Sequence, residues 1–185
     1  MPLQACPALV LNADFRPLSY FPLSLWPWQE TIKAVVLGRV VVLSEYERPI
    51  RSPRISMRLP SVVALRDYAP TPPWPAFTRF NVFLRDDFAC QYCGARPGVR
   101  ELTFDHVLAR SQGGRTGWTN VVAACTSCNL QKGNRTLAQS GMRLRRPPWR
   151  PNSYELQAHG RCFPPNYLHT SWRDFLYWDA ELETV

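Results

Sequence analysis

The chain has 185 residues and carries 22 Lys plus Arg against 14 Asp plus Glu, a formal charge of +8. A hydrophobic fraction of 45% with 12% aromatics excludes a disordered chain and fills the core of one ordinary domain, or of a small domain with appendages. No apolar run reaches the roughly 18–20 residues of a membrane helix, and the start MPLQACPALVLNADFRPL lacks the pattern of a secretory signal. A soluble cytoplasmic protein is expected. The positive balance favours a polyanionic partner, because each phosphate contact releases counterions. Eighteen prolines against nine glycines imply short elements joined by stiff connectors.

In chain order, ALVLNA at 8–13 reads as a strand followed by a Pro-rich turn. Ser24 is placed to cap a helix over 26–37, with Trp28, Ile32, Val35 and Val36 on one face and Gly38 closing it. RVVVLS at 39–44 reads as a buried strand. Residues 48–66 hold Arg48, Arg51, Arg54, Arg58 and Arg66 with no acid, which suits a second nucleic-acid contact. Ile50, Ile55, Met57 and Leu59 require part of that stretch to pack. YAPTPPWP at 68–75 is a stiff linker and sets a boundary. Residues 76–89 read as a short helix.

The cysteines are Cys6, Cys90, Cys93, Cys125, Cys128 and Cys162. Two C-x2-C pairs, CQYC at 90–93 and CTSC at 125–128, point to metal ligation rather than disulfides. A two-residue spacer lets a tight turn aim both thiolates at one ion, and two such knuckles complete the tetrahedral shell that zinc prefers. Gly94 suits the turn after the first knuckle. A closed four-thiolate site leaves no open position, so this zinc is structural. Cys6 and Cys162 read as small buried hydrophobes.

Between and around the knuckles runs ELTFDHVLARSQGGRTGWTNVVAACTSCNLQKGN. Leu102, Phe104 and Val107 suggest a strand, and SQGGRTG supplies a loop. Thr119 opens a short helix through Val122 and Ala124 into the second knuckle. The sum is a strand, a loop, a second strand and a helix, clamped by zinc. The adjacent Asp105 and His106 sit on the strand. Successive strand residues face opposite ways, so both reach one site only at a strand end or a bulge. A carboxylate suits a hard cation such as Mg2+, and a neutral imidazole suits a general base.

These residues resemble an HNH endonuclease in its cysteine-bearing ββα-metal form. The likeness rests on Asp105–His106, Asn120 and Cys125-x2-Cys128-Asn129 with Lys132, and it covers roughly residues 78–138. VLNADFRPLSY and RLPSVVALRDY likewise resemble the lead segment of bacterial HNH proteins. The resemblance implies that His106 activates water and that Asp105 binds a catalytic divalent metal. It implies that Asn120 pins the loop, although an Asn here also fits a helix cap. Asn129 occupies the third motif position as the second metal ligand, where some relatives have His. Asp plus Asn oxygen favours Mg2+ or Mn2+ at that site, and Cys90, Cys93, Cys125 and Cys128 map onto the structural zinc.

The expected fold class is therefore α+β. A ββα-metal core over 76–146 is clamped by four cysteines, an α+β extension occupies 1–75, and a Pro-rich, aromatic helical tail over 147–185 packs on the core. Arg110 and Arg115 beside the loop fit phosphate contacts or solvated charge. Lys132, Arg135, Arg143, Arg145, Arg146 and Arg150 form an acid-free run that suits a backbone-tracking patch. Trp149 reads as core, and Trp172, Phe175, Leu176 and Trp178 read as the docking face of the tail. The expected function is metal-dependent hydrolysis of DNA, by nicking or cutting. The alternatives are an inactive zinc-knuckle nucleic-acid-binding module and an RNA-directed nuclease. Double-strand cutting by a single site requires a homodimer, and targeting rests on the N-terminal half or a partner protein.

Overall fold

The computed structural model describes residues 6–51, 56–98, 100–162 and 168–176. The architecture is α+β, as its sequence implies, and divides into two units, Met1–Thr71 with Arg161–Val185 and Pro72–Gly160. Among the described residues no helix is long and apolar enough to cross a membrane.

The first unit is a four-stranded sheet built from β1 (Ala8–Leu11), β2 (Leu25–Trp26), β3 (Val40–Arg51) and β4 (Ser56–Leu65), in the order β2-β1-β4-β3. β1 runs parallel to β4, with Leu9 opposite Val62, Val10 opposite Val63 and Leu11 opposite Ala64. Period-two alternation sorts these residues onto two faces. Leu9, Leu11, Val62 and Ala64 pack with Tyr20, Trp172 and Leu176 on one face. Val10 and Val63 pack with Val40 and with Ala34 of helix α1 (Trp28–Val36) on the other. The indole of Trp172 is fully buried and donates to the Ser61 carbonyl at 2.8 Å. The segment 147–185 is thus shared: residues up to 160 belong to the second unit, and 168–176 cover this sheet.

Three expectations need correction here. Ser24 does not cap α1; its hydroxyl donates to the Val10 carbonyl at 2.8 Å, and Pro27 occupies the cap position. Val36 does not share the buried face, because that face centres on Thr31 and Ala34, three residues apart. The run at 39–44 is no fully buried strand: it begins β3, an edge strand with one side exposed and its register broken by bulges. In the arginine-rich stretch, Pro49, Ile50 and Arg51 pair with Arg58, Met57 and Ser56, whereas Arg54, Ile55 and, in the tail, Trp178 lie outside the described residues. Cys6 is buried as expected, but Cys162, just past a helix end, is exposed.

The second unit is built on a hairpin of β5 (Leu102–His106) and β6 (Val121–Cys125), paired antiparallel from Leu102–Cys125 to His106–Val121. The helical reading of 119–124 is overturned. Val121 to Ala124 are all buried, on both faces of the strand, so an apolar run with no alternation hides its period. Helix α2 (Arg79–Arg85) sends Val82 and Phe83 against Leu102, Trp118, Val121 and Ala123. α3 (Thr126–Lys132) follows β6 directly, and the short α4 (Leu137–Ser140) and α5 (Ser153–Arg161) come after it.

A buried ion pair ties this unit together. Arg85 and Asp86 pair bidentately at 2.8 and 2.9 Å. The same guanidinium donates to the carbonyls of Trp118, Val121 and Trp149 at 2.8, 2.7 and 3.0 Å, and Asp86 accepts from Ala123 N at 2.7 Å. Removing one partner strands a buried charge, so Arg85→Met is expected to cost about 3–5 kcal/mol in denaturant unfolding. The double change Arg85→Met with Asp86→Leu is expected to recover part of that loss.

Further along, Asp87 accepts from Arg146 and contacts His159 Nδ1 at 2.9 Å, holding residues 146–159 to the end of α2. Burial pushes the Asp87 carboxyl up, but the hydrogen bonds from His159 and Arg146 outweigh it and leave it below the usual range. A depressed folded value means that this stabilisation is complete above the unfolded carboxyl range and is lost as pH falls through the folded one. Asp87→Asn is therefore expected to destabilise at neutral pH, with the difference from the native chain vanishing in strong acid. Paired thermal unfolding across pH checks it.

Candidate functional site

Two turns bring the cysteines together. In the first, Gly94 N donates to the Cys90 carbonyl at 2.8 Å, with Gly94 at φ +80°, a conformation that favours glycine. In the second, Cys125 caps α3, its sulfur accepting from Cys128 N at 3.5 Å. The four sulfurs lie within 4.8 Å of one another, with Cys93 and Cys125 at 3.8 Å. A tetrahedral zinc with bonds of ~2.3 Å sets sulfurs about 3.8 Å apart, so the cage fits that ion. Burial and neighbouring sulfurs push the Cys125 and Cys128 thiols up. At Cys90 burial also raises the thiol, but the backbone N–H groups of Cys93, Cys125 and Tyr92 outweigh it and bring it down to about 7. Four crowded thiols do not ionise together without a cation to hold them.

The cage fixes the root of the hairpin, since Cys125 stands opposite Leu102 and is followed at once by α3. Thr103 and Asp105 then share one face of β5, while Phe104 and His106 share the other, their rings 6.3 Å apart. His106 is the last residue of β5, the strand end at which neighbouring side chains can serve one site.

On the α3 side, Asp105 is 7% exposed. Its carboxylate accepts from the Tyr92 hydroxyl at 2.5 Å and pairs with Lys132 Nζ at 3.0 Å. Burial and the Asp105 carboxylate push the Tyr92 phenol far up, so Tyr92 stays a donor. Lys132 corrects an expectation: it is no surface phosphate contact but is fully buried, its ammonium shared by Asp105 and the His106 carbonyl at 2.7 Å. A buried ammonium needs such partners, and here they knit α3 to the end of β5. Asn129 donates through Nδ2 to Thr103 Oγ1 at 2.9 Å and to the Phe104 carbonyl at 3.3 Å. These bonds use the Nδ2 end of the amide, and its Oδ1 is a hard acceptor. A carboxylate has about four acceptor positions, and the contacts on Asp105 leave room for another.

Facing the other way, His106 Nε2 lies 2.8 Å from the Thr116 hydroxyl. Asn120 holds the intervening loop at both ends. Its Oδ1 accepts from Leu108 N at 2.8 Å, and its Nδ2 donates to the carbonyls of Leu108 and Arg115 at 3.0 and 2.9 Å. No helix follows Asn120, so it caps none. Arg110 and Arg115 are exposed on this loop, whereas Arg135 turns its guanidinium onto the carbonyls of Gln131 and Lys132 at the end of α3.

Sequence reasoning missed Tyr92, Thr116 and the Arg85–Asp86 pair. Tyr92 lies inside the first knuckle, which was a usable signal. Thr116 sits in a polar loop and gave none.

Residues 90–145 match the HNH endonuclease family, and residues 8–73 match the HNH endonuclease-associated N-terminal domain. No curated protein matches the chain. The first of these matches takes in both knuckles, the hairpin and α3, and the four-cysteine cage fits the zinc-containing form of the family. The chain thus carries an HNH endonuclease segment over residues 90–145, preceded by an HNH endonuclease-associated N-terminal segment over residues 8–73.

Proposed function

We propose that the chain is a metal-dependent endonuclease that hydrolyses DNA phosphodiester bonds by nicking or cutting. The observation that carries this reading is the thiol cage at the root of a hairpin whose far end bears Asp105 and His106, beside a helix bearing Asn129. In this reading zinc in the cage is structural, and a cytoplasmic setting suits four reduced thiols. Asp105 and Asn129 would hold Mg2+ or Mn2+, which would supply Lewis-acid stabilisation of charge on the phosphate.

The remaining steps belong to the chain's own side chains. The base role requires the tautomer protonated at Nε2, in which His106 donates to the Thr116 hydroxyl and Nδ1 carries the basic lone pair. His106 takes a proton from a water that attacks phosphorus in line. Asn120 keeps the loop, and with it Thr116, in register. Lys132 and Tyr92 orient the Asp105 carboxylate. Arg110, Arg115 and Arg135 contact flanking phosphates. Products carry 5′-phosphate and 3′-hydroxyl ends. One site cuts one strand, so double-strand breaks require two copies, and a partner protein or the N-terminal unit supplies targeting.

The binding-only reading draws on one observation, the ammonium already seated on Asp105. Purified protein incubated with supercoiled plasmid, with Mg2+ or Mn2+ omitted and restored, separates the two. Metal-dependent relaxation or linearisation supports the enzyme; intact plasmid under every divalent metal, with DNA still bound, supports the module. A parallel RNA substrate tests the choice of nucleic acid.

A further inference from the structure

The first knuckle has a second side. A groove of about 470 Å³ is lined by Asp87, Gln91, Gly94, Arg96, Arg145 and Arg146, together with Ala89. None of these residues belongs to the hairpin end or to α3. The acid in the groove is already committed, since Asp87 is paired with both Arg146 and His159. Arg96 and Arg145 have no carboxylate partner among the described residues, and both are exposed. The groove therefore offers guanidinium donors to a ligand rather than to the protein.

Its shape is set by the zinc knuckle. Arg145 N donates to the Gln91 carbonyl at 2.8 Å, which ties that residue to the C-x2-C turn. Its guanidinium then lies against Gly94, where an added Cβ would stand 2.6 Å from Nη1. The turn is what requires glycine after Cys93, and the missing Cβ leaves room for the guanidinium beside it. Arginine presents planar, pre-organised donors that match phosphate oxygens.

We infer that this groove is a phosphate clamp for nucleic-acid backbone, holding DNA at the zinc knuckle apart from the strand end that carries His106. The inference rests on the proposed nuclease reading and deepens it, by naming where the chain grips substrate beyond the cleaved bond.

The test measures binding of a fluorescent duplex oligonucleotide to the full chain in a His106→Ala background, so that the probe is not consumed, across a salt series. Arg96→Glu with Arg145→Glu is expected to weaken binding on the order of tenfold for each lost contact at ~0.1 M salt, and to lower the salt slope by roughly 0.9 per contact. Zinc content stays at one ion per chain. Lysine at both positions is expected to restore most of the slope. Lys33→Glu with Arg39→Glu removes the same charge from exposed residues of the first unit and is expected to leave the slope unchanged. Equal losses in the two glutamate variants, or an unchanged affinity and slope in Arg96→Glu/Arg145→Glu, would overturn the clamp. The nuclease reading fails separately, through a native chain that binds the duplex with the full salt slope yet cuts no plasmid. A native chain that does not bind the duplex overturns both.

Discussion

Cys128→Ser is expected to leave residues 72–160 without stable tertiary structure. Cys128 lies one turn into α3, and its sulfur joins that helix to the 90–93 turn across a gap of more than thirty residues in sequence. The hydrophobic cluster under the hairpin is small, with Val82, Phe83, Leu102, Trp118, Val121 and Ala123 as its buried members. Structural zinc contributes about 10–16 kcal/mol of apparent binding free energy in small zinc-finger peptides, against a total stability of roughly 5–15 kcal/mol for a typical domain. Weakening that cage by one thiolate therefore cuts into a term as large as the margin of stability. Zinc content by mass spectrometry, read beside near-ultraviolet circular dichroism, checks the expectation, and a strong chelator should reproduce it in the native chain. A variant that is folded and free of metal would show that the cage is not what holds the unit together.

His106→Ala is expected to lower cleavage by about 10²–10⁴-fold while zinc content and duplex binding stay at native levels. The separation is possible because His106 contributes little to the core. Its ring meets Phe104 and Thr116 at the end of a strand, and its backbone carbonyl, which Lys132 needs, survives the change. A drop in binding that matched the drop in cleavage would make His106 a structural residue. Undiminished cleavage would place the base elsewhere.

What could be read from the residues follows a physical pattern. Signals carried by covalent spacing survived folding: two C-x2-C pairs with 31 residues between them converge on one cage, and the alternation in LTFDH is a strand that ends at His106. Signals carried by periodicity failed where burial is two-sided. Val121 to Ala124 look the same as helix or strand because both faces of β6 are covered. Ser24 looks like a cap because its type is right, but a neighbouring strand carbonyl won its hydroxyl. Charge was the least legible property. Lys132 and Arg85 are drawn like surface residues in sequence, yet both are fully buried: Asp105, 27 positions before it, neutralises Lys132, while the adjacent Asp86 neutralises Arg85 and carbonyls 33 and 36 positions on accept its remaining N–H groups. Thr116 likewise acts through a partner ten positions away, His106, which a polar loop sequence does not show.

The proposed chemistry divides the labour between two metals: zinc builds the site and a second, harder cation uses it. Crystals of the native chain grown with Mn2+, with diffraction recorded at the zinc and manganese absorption edges, test it most directly. Zinc is expected between the sulfurs of Cys90, Cys93, Cys125 and Cys128, and manganese within bonding distance of Asp105 and the Asn129 side-chain oxygen. Manganese bound elsewhere, or no manganese at Asp105 in a protein that cleaves DNA with Mn2+, would contradict that division.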